Sequence, residues 1–309
     1  MPDATELIEE GKRFEGHGVL DRALESYGLA AEYSTDPAVL AEALTHQSRV
    51  HRCRTEWEPA LESARRAQET ARAAHLEVLY MEGIIAEGNV LMCRGDFPEA
   101  LALFKQVLDA KDEPKLRGIA LQNIGSILWQ QGQLGAAERA LAESFGYFHR
   151  AGYTRGAAIA LNNQGRIALD RGNTVQAEQL LESALEAARA IEDGELIALV
   201  TLNLSEALDS RGMAARAEEM ASTALGYFST SGNRWREVEC LRRIGAINER
   251  IGDLAHAERC YQRALSIADE IAARQDAQIL RDCLCRLAQL QAPAGGTRGR
   301  SDRGASRSP

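Results

Sequence analysis

The chain has 309 residues, of which 45% are hydrophobic and only 5% aromatic, with a formal net charge of −9. That acidity excludes the basic footprint of a dedicated nucleic-acid binder, so no direct nucleic-acid partner is expected. No apolar run approaches the ~20 residues of a membrane span, and the N-terminus has neither the basic nor the apolar region of a secretory leader. The expected location is cytoplasmic, away from membranes.

The elements repeat. Gly18, Thr55, Gly95, Gly132, Gly172, Gly212 and Gly252 are separated by 37, 40, 37, 40, 40 and 40 residues. Five residues after each stands an alanine (Ala23, Ala60, Ala100, Ala137, Ala177, Ala217, Ala257). Seven residues before each stands a small residue (Gly11, Ser48, Gly88, Gly125, Gly165, Ser205, Gly245). Each landmark separates two apolar-periodic halves, which predicts helix, tight turn, helix. One such hairpin cannot bury its own apolar face, so stability requires stacked copies.

In chain order the predicted hairpins cover about residues 3–33, 37–72, 77–111, 114–150, 153–191, 194–230 and 234–273. Asp3 is positioned as an N-cap, and Asp21 opens the second helix of the first hairpin. Pro37 and Pro114 mark joins between hairpins, while Pro59 and Pro98 sit in a first helical turn, where proline is tolerated. The second hairpin has no glycine at its turn, so Trp57 and Pro59 are expected to shape it. Residues 274–291 form one more amphipathic helix, with Ile279, Leu280, Leu284, Leu287 and Leu290 as its apolar stripe, and are expected to cap the stack. Residues 292–309, rich in Arg, Gly and Ser, are expected to be a disordered tail. The solenoid is thus expected over 1–291 as a single array.

The small residue, the turn seven later and the alanine twelve later together resemble the tetratricopeptide repeat. That pattern also has a large residue four before the small one, supplied by Leu7, Leu44, Ile84, Leu121, Leu161 and Leu241, with Thr201 as the exception. It has a bulky residue four after the alanine, supplied by Tyr27, Phe104, Leu141, Leu181 and Tyr261. Ala64 and Ala221 depart from it, which predicts looser packing in repeats two and six. The period near 40, against ~34 in the common form, resembles the longer-helix subclass of Leu-Gly-Asn polarity adaptors, peptide-pheromone receptors and maltose-activator-like sensor domains. The resemblance implies an all-α, right-handed superhelical solenoid of seven antiparallel helical hairpins plus a C-terminal capping helix.

It also implies a working surface, because in the family the first helix of each hairpin lines the concave face. The sixth position of those helices holds Asn123, Asn163 and Asn203 in successive repeats. An amide offers both donors and an acceptor, so the three could hold the main chain of an extended peptide, as such asparagines do in the adaptors and pheromone receptors. The competing reading is that the amides bond to neighbouring helices and order the stack. Trp129 and Met92 offer apolar anchors on the same face. Ile119, at the second position, touches the preceding hairpin and reads as core. Arg166, beside Asn163, and the Arg242–Arg243 pair are placed to meet acidic groups. The family's carboxylate clamp for chaperone tails has no matching window here.

No phosphate-binding loop, dinucleotide fingerprint or His-Glu-x-x-His motif is present, and the six histidines fall at unrelated repeat positions. The six cysteines lack a disulfide-framework pattern and a zinc spacing, and read as reduced, mostly buried thiols. The expectation is a non-catalytic interaction scaffold without cofactor or metal, with a protein or peptide partner. The alternative is a ligand- or peptide-sensing regulatory module; the effector segment such regulators carry, a helix-turn-helix or P-loop, is not found before Asp3 or after Pro293.

Overall fold

A computed structural model describes residues 3–109 and 113–291. The stretch 292–309, read above as a tail, lies outside the described residues. Among the described residues there are fifteen helices and no strand. The chain divides into two compact units, Met1–Asp193 and Gly194–Pro309. The division falls at the join between the fifth and sixth hairpins.

The first unit holds five hairpins: α1 (Ala4–Gly16) with α2 (Leu20–Tyr33), α3 (Pro37–Cys53) with α4 (Trp57–Ala73), α5 (Glu77–Arg94) with α6 (Phe97–Asp109), α7 (Pro114–Gln130) with α8 (Leu134–Arg150), and α9 (Thr154–Asp170) with α10 (Thr174–Ala190). Each helix packs against the next in sequence, and α1, α3, α5, α7 and α9 also pack in succession on one another. The second unit holds α11 (Gly194–Ser210) with α12 (Ala214–Ser231), α13 (Arg234–Ile251) with α14 (Leu254–Glu270), and α15 (Arg274–Gln291). Here α11, α13 and α15 follow one another in the same way.

Local chemistry sets the helix ends. Asp3 caps α1 by accepting from the Thr5 N–H at 3.2 Å, and Asp36 caps α3 by accepting from Ala38 at 2.9 Å, with Pro37 at the first helical position. Asp21 falls inside the first turn of α2 rather than capping it, since α2 begins at Leu20. All seven landmark residues have positive φ, including Thr55 at 60°. Gly95, at 96°, closes α5 in the left-handed conformation without a Cβ penalty. Thr55 does the same with a β-branched side chain, and so carries strain its glycine counterparts avoid. The joins between hairpins use the same device at His75, Gly152, Glu192, Gly232 and Ala272.

The spacing of small and bulky residues has a direct steric cause. A Cβ on Gly11 would lie 2.5 Å from Tyr27 Cε1, one on Gly88 2.6 Å from Phe104 Cε1, and one on Gly245 2.5 Å from Tyr261 Cε1. The two exceptions to the bulky position are also the two serines at the small position, paired as Ser48 with Ala64 and Ser205 with Ala221. A side chain fits where its partner has shrunk to a methyl group. All four of these residues are buried. The Ser205 hydroxyl donates to the Leu202 carbonyl at 2.7 Å. The Ser48 hydroxyl has no partner.

On α15 the stripe buried against α14 is Ala277, Leu280, Cys283 and Leu287, with Leu284 half-buried beside it. Ile279 and Leu290, placed in the apolar stripe by sequence, are exposed. All six cysteines are free; Cys240, Cys260 and Cys283 are buried, whereas Cys53, Cys93 and Cys285 are exposed, so burial is not their general condition. Burial pushes the Cys240 thiol up to about 12, which keeps it protonated and inert. No helix among the described residues is long and apolar enough to cross a membrane.

Candidate functional site

The inner helices of the first unit, α3, α5, α7 and α9, carry five of the eight residues singled out by sequence: Met92, Asn123, Trp129, Asn163 and Arg166. The three asparagines do not behave alike. Asn123 is 9% exposed, and its Nδ2 donates to Asn89 Oδ1 on α5 at 2.7 Å. That bond ties two adjacent inner helices together. Asn163 is half-buried; its Oδ1 accepts from the Asn162 Nδ2 at 3.3 Å, while its own side-chain N–H groups have no bond among the described residues. Asn203, in the second unit, is 5% exposed and is bonded internally.

Trp129 stands at the end of α7 facing α9. Its indole N–H donates to Asp170 Oδ2 at 2.5 Å, and the Arg166 guanidinium lies 4.5 Å from its ring centroid. The indole is therefore held from one side by a carboxylate and covered on its face by a cation, a contact worth ~0.5–1 kcal/mol at an exposed site. Arg166 is exposed, so a competing acidic group can draw it off the ring. Met92 is half-buried against the core around Ile84, Leu91, Phe104 and Ile127. It contributes to packing at the edge of that face.

In the second unit, Arg242 and Arg243 diverge. Arg243 donates to the Glu206 carboxylate on α11. Arg242 lines a cavity of about 520 Å³ together with Glu195, Trp235, Arg236, Glu239 and Asp276. Its Nε is buried without a hydrogen-bond partner, and Trp235 beside it is 58% exposed. The structure thus does not bring Arg242 and Arg243 into one carboxylate-holding pair, because Glu206 already occupies the second guanidinium.

A second feature of the first unit was missed by sequence reasoning. A cavity of about 570 Å³ opens between α1, α3, α5 and α7. Lys12, Arg49, Arg52 and Lys115 supply cations, Glu42 and Glu82 carboxylates, and Leu79, Ile85, Leu116 and Ile119 an apolar wall. Ile119, read as core, is half-buried and faces this space. Lys12 bonds to Glu9 at 2.8 Å and Glu42 at 2.9 Å. Arg49 bonds to Glu15 through Nη2 at 2.6 Å and donates to His46 Nδ1 at 2.6 Å. A donor on Nδ1 requires that nitrogen to be unprotonated. Burial, then the charges of Arg49 and Lys12, push His46 down to about 4, with Glu15 and Glu42 acting against them. Burial alone would raise the Glu15 carboxyl, but the bonds from Arg49 and Tyr27 outweigh it and hold it below the usual carboxylate range. Glu82 is raised, first by burial, with Lys115 opposing and Glu42 and Glu113 reinforcing. The signal in the sequence was the second hairpin, where serine and alanine replace the glycine and aromatic of its neighbours.

Comparison with known proteins follows this geometry. Residues 85–145 and 123–193 match the family model described as tetratricopeptide repeat. No curated protein sequence matches the chain. Among solved structures, the quorum sensor NprR from B. thuringiensis in its apo form is 14% identical with a TM-score of 0.68, over 84% of this chain and 75% of that one. A Rap protein complexed with competence and sporulation factor is 15% identical with a TM-score of 0.65, over 93% of this chain and 85% of that one. BtubC from P. vanneervenii is 21% identical with a TM-score of 0.60, over 70% of this chain and 92% of that one. At these identities the likeness is one of fold. Residues 85–193 therefore carry tetratricopeptide repeats, and with hairpins of the same construction before and after them the chain has the fold of a tetratricopeptide-repeat protein with a repeat near 40 residues.

Proposed function

We propose that the chain is a non-catalytic scaffold that binds an extended peptide or a partner's helix on the inner helices of its first unit, centred on α7 and α9. The observation that carries this reading is the grouping of Asn163, Trp129 and Arg166. The Asn163 amide keeps its donors unspent, the indole is fixed by Asp170, and an exposed guanidinium lies across it. A main-chain carbonyl pairs with the amide, an apolar side chain packs on the indole, and an acidic group meets Arg166. Asn123 has a positioning role, since one of its two N–H donors is spent on Asn89 and the residue is 9% exposed. Asn203, Arg242 and Arg243 belong to the second unit and are proposed as a separate contact region, with Arg242 beside exposed Trp235 as its recognition element. The Rap protein complexed with competence and sporulation factor and the quorum sensor NprR support a binding role by analogy of fold.

The test is affinity capture from the native lysate with wild-type protein and with N163A/R166E protein, quantified by mass spectrometry. Partners retained by the wild type and depleted at least tenfold by the double variant support the reading. An unchanged set of captured proteins refutes it.

A further inference from the structure

The cavity between α1, α3, α5 and α7 is a different surface from the Asn163–Trp129–Arg166 grouping, and not all of its charges are paired in contact. Four cations and two carboxylates line it. Lys12 is neutralised by Glu9 and Glu42, and Arg49 by Glu15. His46 stays neutral, its Nδ1 accepting from Arg49. That leaves Arg52, Lys115 and Glu82. Arg52 touches only the Cys93 Sγ at 3.4 Å. Lys115 overlies the Tyr153 ring at 5.2 Å. Among the described residues, neither cation has a carboxylate within ion-pair distance, and Glu82 has no cation within it. With Glu9 and Glu15 counted, four cations face four carboxylates, so the charges balance overall, but Arg52 and Lys115 are left without an acidic partner in contact.

A second, independent observation lies on the same wall. Ser48 is 1% exposed, lines the cavity, and its hydroxyl has no hydrogen-bond partner. A buried hydroxyl left unpaired is destabilising, so an occupant that accepts from it recovers that loss. Ser48 and Arg52 stand four residues apart on α3 and share a face. The amide of Asn89, across the cavity on α5, has already accepted from Asn123 and retains its own donors. A guanidinium, a hydroxyl and an amide thus line the same cavity. The rest of the wall is Leu79, Ile85, Leu116 and Ile119. The volume of about 570 Å³ falls within the ~300–1,000 Å³ of small-molecule sites.

We propose that this cavity is a binding site for a small organic carboxylate with an apolar body, its acid group taken by Arg52 and the Ser48 hydroxyl and its body lying on the leucine and isoleucine wall. A monoanion supplies the carboxylate that Arg52 lacks. A dianion would bring a second negative charge towards Glu42 and Glu82, at the other end of the inner helices: Glu42 precedes Arg52 by ten residues on α3, about 15 Å of helix. This site goes beyond the protein-binding reading and needs no protein partner for its test.

The experiment is isothermal titration calorimetry of the full chain with octanoate, octanol, octylammonium and octyl phosphate, each below its micelle concentration. Octanoate is expected to bind at least tenfold more tightly than octanol or octylammonium. R52M is expected to remove that preference while leaving octanol binding and the circular-dichroism melting curve unchanged. S48A, a smaller perturbation, is expected to weaken octanoate several-fold and octanol not at all. Equal affinity for octanoate and octanol, no octanoate binding at millimolar concentration, or a preference that survives R52M would overturn the proposal. Tighter binding of octyl phosphate than octanoate would overturn the carboxylate assignment. Because Asn163 and Arg166 play no part in this titration, its failure would leave the scaffold reading standing, and the reverse also holds.

Discussion

Replacing Gly88 by alanine sets two opposed effects against each other. In a helix interior, glycine to alanine stabilises by ~0.8–1 kcal/mol through backbone entropy. At Gly88 the new Cβ would lie 2.6 Å from Phe104 Cε1 and 2.9 Å from Cζ, well inside contact distance. Phe104 is fully buried in a core cluster with Leu91, Val107 and Ile127, so its ring has no open side to move into. Overpacking of this kind costs ~1–3 kcal/mol, and the overlap is with a ring rather than a flexible chain end. The net expectation for G88A is destabilisation by about 1–2 kcal/mol, measured as a shift of the urea midpoint by circular dichroism. F104A alone should cost ~3–5 kcal/mol through its cavity. The double variant G88S/F104A recreates the Ser48–Ala64 pair of the second repeat. Its cost should fall at least ~1 kcal/mol short of the sum of its two single variants, the coupling expected of residues in contact. If G88A proved neutral or stabilising, or if the cycle were additive, the explanation of the small–bulky pairing would be wrong.

Two further outcomes test other parts of the fold. T55G should stabilise the second hairpin by about 0.5–1 kcal/mol in thermal unfolding, because relief of a left-handed threonine outweighs the extra chain entropy of glycine; a loss of stability would show that Thr55 is held by contacts, not strained. His46, pushed down to about 4 in the fold, is protonated more readily in the unfolded chain, so its contribution is complete above pH ~6.5 and is lost as pH falls towards 4. The loss should reach about 3 kcal/mol and be reduced in H46Q; an NMR titration of the His46 ring with a midpoint near 6.5 would refute the burial argument.

Much of this architecture was legible in the residues because its causes are local or repeat at a fixed interval. A residue at positive φ must end each first helix, and all seven landmarks have it. Two helices in close contact need a small residue opposite a bulky one, so Gly11 with Tyr27 and Gly245 with Tyr261 show in the spacing alone. Even the exceptions were visible, since Ser48 with Ala64 and Ser205 with Ala221 depart together. The joins between hairpins were less legible. His75, Glu192 and Ala272 take the left-handed conformation with no glycine to announce it, because packing of the next helix imposes the turn there.

The sequence by itself determined the repeat, the hairpins and the face on which Asn123, Asn163 and Trp129 stand, since helical periodicity assigns each residue a direction. Only the tertiary structure decided which of those groups remain available. Asn123 spends one N–H donor on Asn89, and Arg243 one guanidinium nitrogen on Glu206, because adjacent inner helices are staggered so that side chains three repeat positions apart meet. Asn163 and Arg242 meet no such neighbour on the groups left unspent. The cavity at Arg52 and Ser48 depends on four helices at once, and its unpaired charge is a balance among side chains from all of them. Periodicity along one helix carries no information about that balance.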